Sequence, residues 1–162
     1  MPPDATLTQN PEFAGPGSTM WLAWVDGTAR PNPGRIGIGH VLVSPSGLRA
    51  EHSDTDGRSG CNNEAEVRAI LGALAAAAAA GARTLTLHSD SRFAVDCLNG
   101  LDSTDVPRLV DLLATVRAAM DRFDQVRLVW LPRHRNAEAD RLARAALGLA
   151  PKPAPAKRKR RR

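Results

Sequence analysis

The order in which strand-like and helix-like segments follow one another restricts this chain most. Three strand-like stretches come first: WLAWV at 21–25, IGIGHVLV at 36–43 and LRAEHSDT at 48–55. SPSG at 44–47 marks a turn between the second and third, and 57–60 reads as loop. A long helix is predicted over 63–80. Val67, Ile70, Leu71 and Leu74 share one face, an alanine run extends it, and Gly81 stands ready to end it. Strand and helix then alternate. A strand is predicted at 84–90, helices at 91–99 and 106–122, a strand at 126–131 and a helix at 136–147. Strands joined directly pair antiparallel, and strands joined through helices pair parallel. The order β-β-β-α-β-α-α-β-α therefore predicts an α/β fold: an antiparallel meander extended by parallel strands.

A chain of 162 residues suits one domain. We divide it into a disordered N-terminal segment (1–20), a folded domain (21–148) and a disordered basic tail (149–162). The first segment has neither the basic start nor the apolar middle of a signal peptide. The longest uncharged apolar run, 69–82, is mostly alanine and too short to cross a bilayer, so no membrane partner is expected. The tail PKPAPAKRKRRR holds seven cations, including every lysine of the chain. The net charge is +5, so the rest carries −2 once those seven are removed. The high isoelectric point thus belongs to an appendage, which suggests a polyanion partner reached by the tail. Two cysteines without a CxxC spacing build neither a disulfide framework nor a metal knuckle, and a cytoplasmic location is expected. A monomer is the default.

Four acids stand out. Asp26 ends the first strand-like stretch and Asp90 the fourth. If those strands are parallel neighbours, both carboxylates emerge at one C-terminal edge. Glu66 falls in the first turn of the long helix, and Asp140 in the last helix. Acids held close raise one another's pKa, and a divalent cation relieves them. Hard oxygen ligands suit magnesium or manganese. Two such ions, about 3.5–4 Å apart, can activate water and stabilise a leaving oxygen in phosphodiester hydrolysis. Each acid also has an ordinary structural reading. Asp26–Gly27 fits a hairpin turn, and Asn63-x-x-Glu66 fits a capping box. Asp90–Ser91 fits an N-cap, and Asp140 fits an ion pair with Arg144.

With these flanks in view, the chain resembles the type 1 ribonuclease H family. The resemblance rests on DGTARPNPGRIGIG, NNEAE, HSDSRF and NAEADRLARAA, in that order, between about 21 and 147. It implies a ribonuclease H-like fold, a five-stranded mixed sheet of order 3-2-1-4-5 flanked by helices. The implied activity is endonucleolytic cleavage of the RNA strand of an RNA–DNA hybrid with two Mg2+ ions, for which Mn2+ substitutes. Motif matching places Asp26, Glu66, Asp90 and Asp140 at the metal-ligand positions. It places Asn32, Asn62 and Asn63 where the family meets the minor-groove side of the hybrid, a place where 2′-hydroxyls tell RNA from DNA. Turn and cap chemistry is the other reading of those asparagines.

The match departs from the family in two places. The loop before the last helix is short, and His134 is its one histidine. It either carries protons or is a solvated loop residue. The stretch from 90 to 130 holds no basic insertion, so the tail is expected to supply phosphate contacts instead. Cys61 stands where relatives often have a threonine. His40, His52, His88, Trp24 and Trp130 read as strand, loop or core residues. Two other functions stand beside the nuclease: a non-catalytic hybrid-binding module, and a nuclease of this fold acting on another nucleic acid. Retention of four acids argues against the first, and the NPG and NN pieces argue against the second.

Overall fold

The computed structural model describes residues 18–153. Most of the expected N-terminal segment and the basic run of the tail lie outside the described residues. Five strands form one sheet: β1 (Met20–Arg30), β2 (Gly34–Val43), β3 (Arg49–Gly60), β4 (Thr84–Ser89) and β5 (Gln125–Trp130). Four helices flank it: α1 (Asn62–Ala79), α2 (Arg92–Leu98), α3 (Pro107–Met120) and α4 (Ala137–Ala146). The strand order is β3-β2-β1-β4-β5. The first three strands pair antiparallel, and β4 and β5 are added parallel. The mixed sheet and its order agree with expectation. No described helix is long and apolar enough to cross a membrane.

Two boundaries differ from the sequence reading. Asp26 does not end β1. The strand runs on to Arg30, paired with β2 as far as Arg30↔Arg35, and the reversal falls at 31–33. Gly27 signals close approach rather than a turn: a Cβ there would lie 2.0 Å from the Ala65 carbonyl oxygen of α1. The stretch 57–60 is strand rather than loop. A register shift opposite Arg35 and Gly37 absorbs the extra residues of β3, with Gly57 at φ +72°. Such a bulge lets the ladder resume at Arg35↔Ser59 and Gly34↔Gly60.

Alternation along the strands divides the core. Ala23, Val25, Ile36, Ile38, Leu85 and Leu87 face α1 and α3, which contribute Val67, Ile70, Leu74, Leu113 and Val116. Leu22, Val41 and Val43 face the other way and meet Leu142 of α4. Gly37 and Gly39 of β2 let α4 settle closely on that face. A Cβ at either position would come within 2.5 Å of Ala143 backbone atoms. Burying each large side chain contributes about 1.5–3 kcal/mol, so these two layers hold the sheet edge above them in place.

Candidate metal and nucleic-acid site

The site begins where the sheet splits. The last pair between β1 and β4 is Val25↔Ser89. Beyond it β1 continues with β2 alone while β4 stops, and a notch opens at the C-terminal edge. The next residue on each side is an aspartate, Asp26 and Asp90. The first turn of α1 closes the notch from above. Its N-cap is Cys61, whose Sγ accepts from the Glu64 N–H at 3.4 Å. The helix therefore starts one residue earlier than expected. Asn63 and Glu66 both lie inside it, and the capping box between them does not form. Glu66 instead accepts from the Gly27 N–H and enters the notch.

Asp26, Glu66 and Asp90 each place a carboxylate oxygen within 4.8 Å of the others. Burial, then the Asp90 charge, pushes the Asp26 carboxyl up to about 8. Burial and the neighbouring Asp26 hold Glu66 well above the ordinary carboxylate range. Burial also raises Asp90, against a hydrogen bond from Asn136 and the charge of Arg133. Glu66 Oε2 is buried without a hydrogen-bond partner among the described residues. An acid group of this kind, short of donors and rich in hard oxygens, fits a divalent cation.

Asp140 stands at the rim. Its charge adds to the upward shift of Asp26, and its Oδ1 lies 3.4 Å from the Lys152 ammonium. No ion pair joins it to Arg144, whose Nε donates to the Ala150 carbonyl instead. The N-cap of α2 is Ser91, whose Oγ accepts from the Ala94 N–H, so Asp90 is not spent on capping. Three of the four acids thus converge, and the fourth borders them.

Asn32, Asn62 and Asn63 are exposed at one side of the notch. The Asn62 N–H donates to Asn32 Oδ1 at 3.0 Å, and the Ala29 N–H donates to Asn62 Oδ1 at 2.9 Å. Backbone donors demand the carboxamide oxygen, so each side chain ties the loop together and keeps its NH2 group for another partner. His134 is exposed on a single 3₁₀ turn (Arg133–Arg135) and is not part of the converged group.

Two contributors escaped the sequence reading. Asn136 is 2% exposed and donates to the Val25 carbonyl at 2.8 Å and to Asp90 Oδ2 at 3.4 Å. It ties the start of α4 to both strands of the notch. Its place before a helix suggests a cap, yet its side chain makes no capping bond. Trp130 is 37% exposed rather than core. Its indole N–H donates to the Asp90 carbonyl at 3.2 Å, and the Arg92 guanidinium lies 4.0 Å above its ring. Trp24 is half-buried and stacks on His88 at 4.8 Å.

A carboxylate cluster at the split of a β3-β2-β1-β4-β5 sheet has the layout of a metal-dependent hydrolase. The family described as Reverse transcriptase-like matches residues 24–146. Ribonuclease HI of Halobacterium salinarum is 37% identical over 147 residues, 90% of this chain and 71% of that protein. The crystal structure of RNase H1 from the same archaeon is similar with a TM-score of 0.76 at 38% identity, covering 80% of this chain and 98% of that one. LC11-RNase H1, solved in complex with an RNA/DNA hybrid, is similar with a TM-score of 0.72 at 30% identity, covering 79% and 96%. The chain belongs to the type 1 ribonuclease H family.

Proposed function

We propose that this chain is an endonuclease that hydrolyses the RNA strand of RNA–DNA hybrids, with two divalent metal ions held by Asp26, Glu66, Asp90 and Asp140. The convergence of Asp26, Glu66 and Asp90 in one notch carries the reading. Magnesium is the ion proposed, and manganese is expected to replace it, since both take hard oxygen ligands. When bound, such ions supply an activated water and stabilise the departing oxygen.

The chain's own residues bind and orient. Asp26 and Asp90 are fixed by their strands, and Glu66 by the Gly27 N–H. Asn136 holds Asp90 against β1. Asn32, Asn62 and Asn63 present NH2 donors on the side where the hybrid's 2′-hydroxyls would lie. His134 is proposed as a proton carrier at the rim. The basic tail is proposed to contact phosphates with strong salt dependence. A reducing, cytoplasmic setting and a monomeric chain complete the reading; Cys61 and Cys97 are both free.

The test is cleavage of a labelled RNA–DNA hybrid beside RNA–RNA and DNA–DNA controls, in magnesium and in EDTA. Metal-dependent loss of the RNA strand, abolished in Asp26→Asn, is expected. Tight hybrid binding without cleavage in either metal would overturn the nuclease reading in favour of a binding module.

A further inference from the structure

Past α4 the chain turns back. Gly148 takes φ +72°, the Leu149 N–H donates to the Arg144 carbonyl at 3.0 Å, and Arg144 Nε donates to the Ala150 carbonyl at 2.9 Å. These bonds return the chain along α4 towards its first turn. Pro151 and Lys152 there line a cleft of about 250 Å³ with Ala137, Glu138, Asp140 and Arg141. The Lys152 ammonium sits 3.4 Å from Asp140 Oδ1 and is half-exposed. Its charge also reaches Asp90, where it opposes the effect of burial.

The residue type matters. The folded body uses arginine alone, and Lys152 is the first lysine of the chain. An arginine fork would grip a carboxylate with two parallel bonds. An ammonium on a four-carbon stem is a compact point charge that swings away easily. At half exposure the pair is weak, because solvent screens it. The contact therefore suits a charge that holds a place and then leaves it.

We propose that Lys152 is a displaceable counter-ion built into the chain: it neutralises Asp140 before metal binds, and a divalent cation entering beside Asp140 drives it out. The inference rests on the metal-dependent reading above.

The experiment is Mn2+ binding to the full chain without nucleic acid, by calorimetry at low salt. Wild type, Lys152→Gln and Asp26→Asn are compared. Lys152→Gln is expected to bind Mn2+ about threefold to fivefold more tightly, the range of a partly screened surface pair. Raising the salt should shrink the difference. Lys152→Gln should also lower the melting temperature in EDTA but not in saturating Mn2+. Unchanged or weaker Mn2+ binding by Lys152→Gln, with binding abolished in Asp26→Asn, would overturn the counter-ion and leave the nuclease reading standing. Absence of Mn2+ binding by the wild type would overturn both.

Discussion

Helix α4 contributes acids to two clusters that handle charge in opposite ways. On its outer side, Glu138 pairs with Arg49, and Arg141 lies 3.2 Å from Glu51, which in turn lies 3.0 Å from Arg49. Acids and arginines alternate there, mostly in solvent, and Arg49 above all holds the Glu51 carboxyl below its ordinary range. On its inner side, Asp140 borders the group of Asp26, Glu66 and Asp90, where carboxylates outnumber cations and burial drives the pKa of those three upward. The outer cluster is complete as it stands. The inner one is held in place by the fold yet lacks charge balance, and that deficit is what a metal ion corrects.

Breaking the inner cluster should have the largest effect. Asp26→Asn is expected to lower the hybrid-cleavage rate roughly 10³-fold or more, as loss of a preorganised charge at a reacting centre does. The same variant should be more stable than wild type in EDTA at neutral pH, read as a higher melting temperature. A gain in stability with a loss of rate would separate a functional acid from a structural one.

Next in size is the pH dependence of the metal-free protein. The folded state holds a proton on Asp26 up to about pH 8, whereas the unfolded chain releases it near 3.8. That contribution is fully present below about pH 4 and is lost as the pH rises towards 8. It amounts to about 6 kcal/mol at most. Glu51 has the opposite sign, since its lowered pKa favours the fold above the ordinary carboxylate range and that favour is lost on acidification. Urea titrations in EDTA at pH 5 and pH 8, on wild type and Asp26→Asn, should show the wild-type loss and a flatter profile in the variant. Equal slopes would mean that the notch is already neutralised by other groups.

A smaller loss is expected from Asn136→Ala. Its side chain touches a proposed ligand and β1, so metal affinity should fall about 10- to 100-fold, as for other outer partners of metal ligands. Calorimetry with Mn2+ would check it, and Asn136→Asp would test whether the NH2 donor is what matters. Smallest of all is Glu51→Ala. An exposed network of this kind contributes about 1 kcal/mol or less and weakens with salt, and the cleavage rate should stay at the wild-type value. A large drop in rate would show that the outer pairs hold α4 over the notch.

The acids were legible because each lies beside an element boundary that hydrophobic periodicity reveals. The shared edge for Asp26 and Asp90 stood in the element order only as a condition, that β1 and β4 be parallel neighbours, and the strand order that meets it came with the family resemblance. The extent of β1 was not legible. A glycine after an aspartate reads equally as a turn or as a place where a helix presses on a strand, and only the position of α1 decides between them. Asn136 stood only as the first residue of the last helix, and nothing in the sequence says that its side chain turns back to the Val25 carbonyl and Asp90. Trp130 was misread because an aromatic at a strand end carries no sign of which face it takes. Lys152 lay in a segment read as disordered, and its approach to Asp140 depends on the backward turn at Gly148.

The contact between Gly27 and the backbone of Ala65 and Glu66 has a consequence for how this chain tolerates change. The spacing of Asp26 and Glu66 is gauged by main chain resting on main chain, with no side chain as a shim. Trimming Leu74 or Val116 would loosen the interior by about 2–5 kcal/mol yet leave that gauge untouched. A methyl group at position 27 would pry the two carriers apart while removing nothing from the core. The interior can therefore drift in composition while the aperture of the notch holds its calibration, and position 27 is where that calibration is most easily lost.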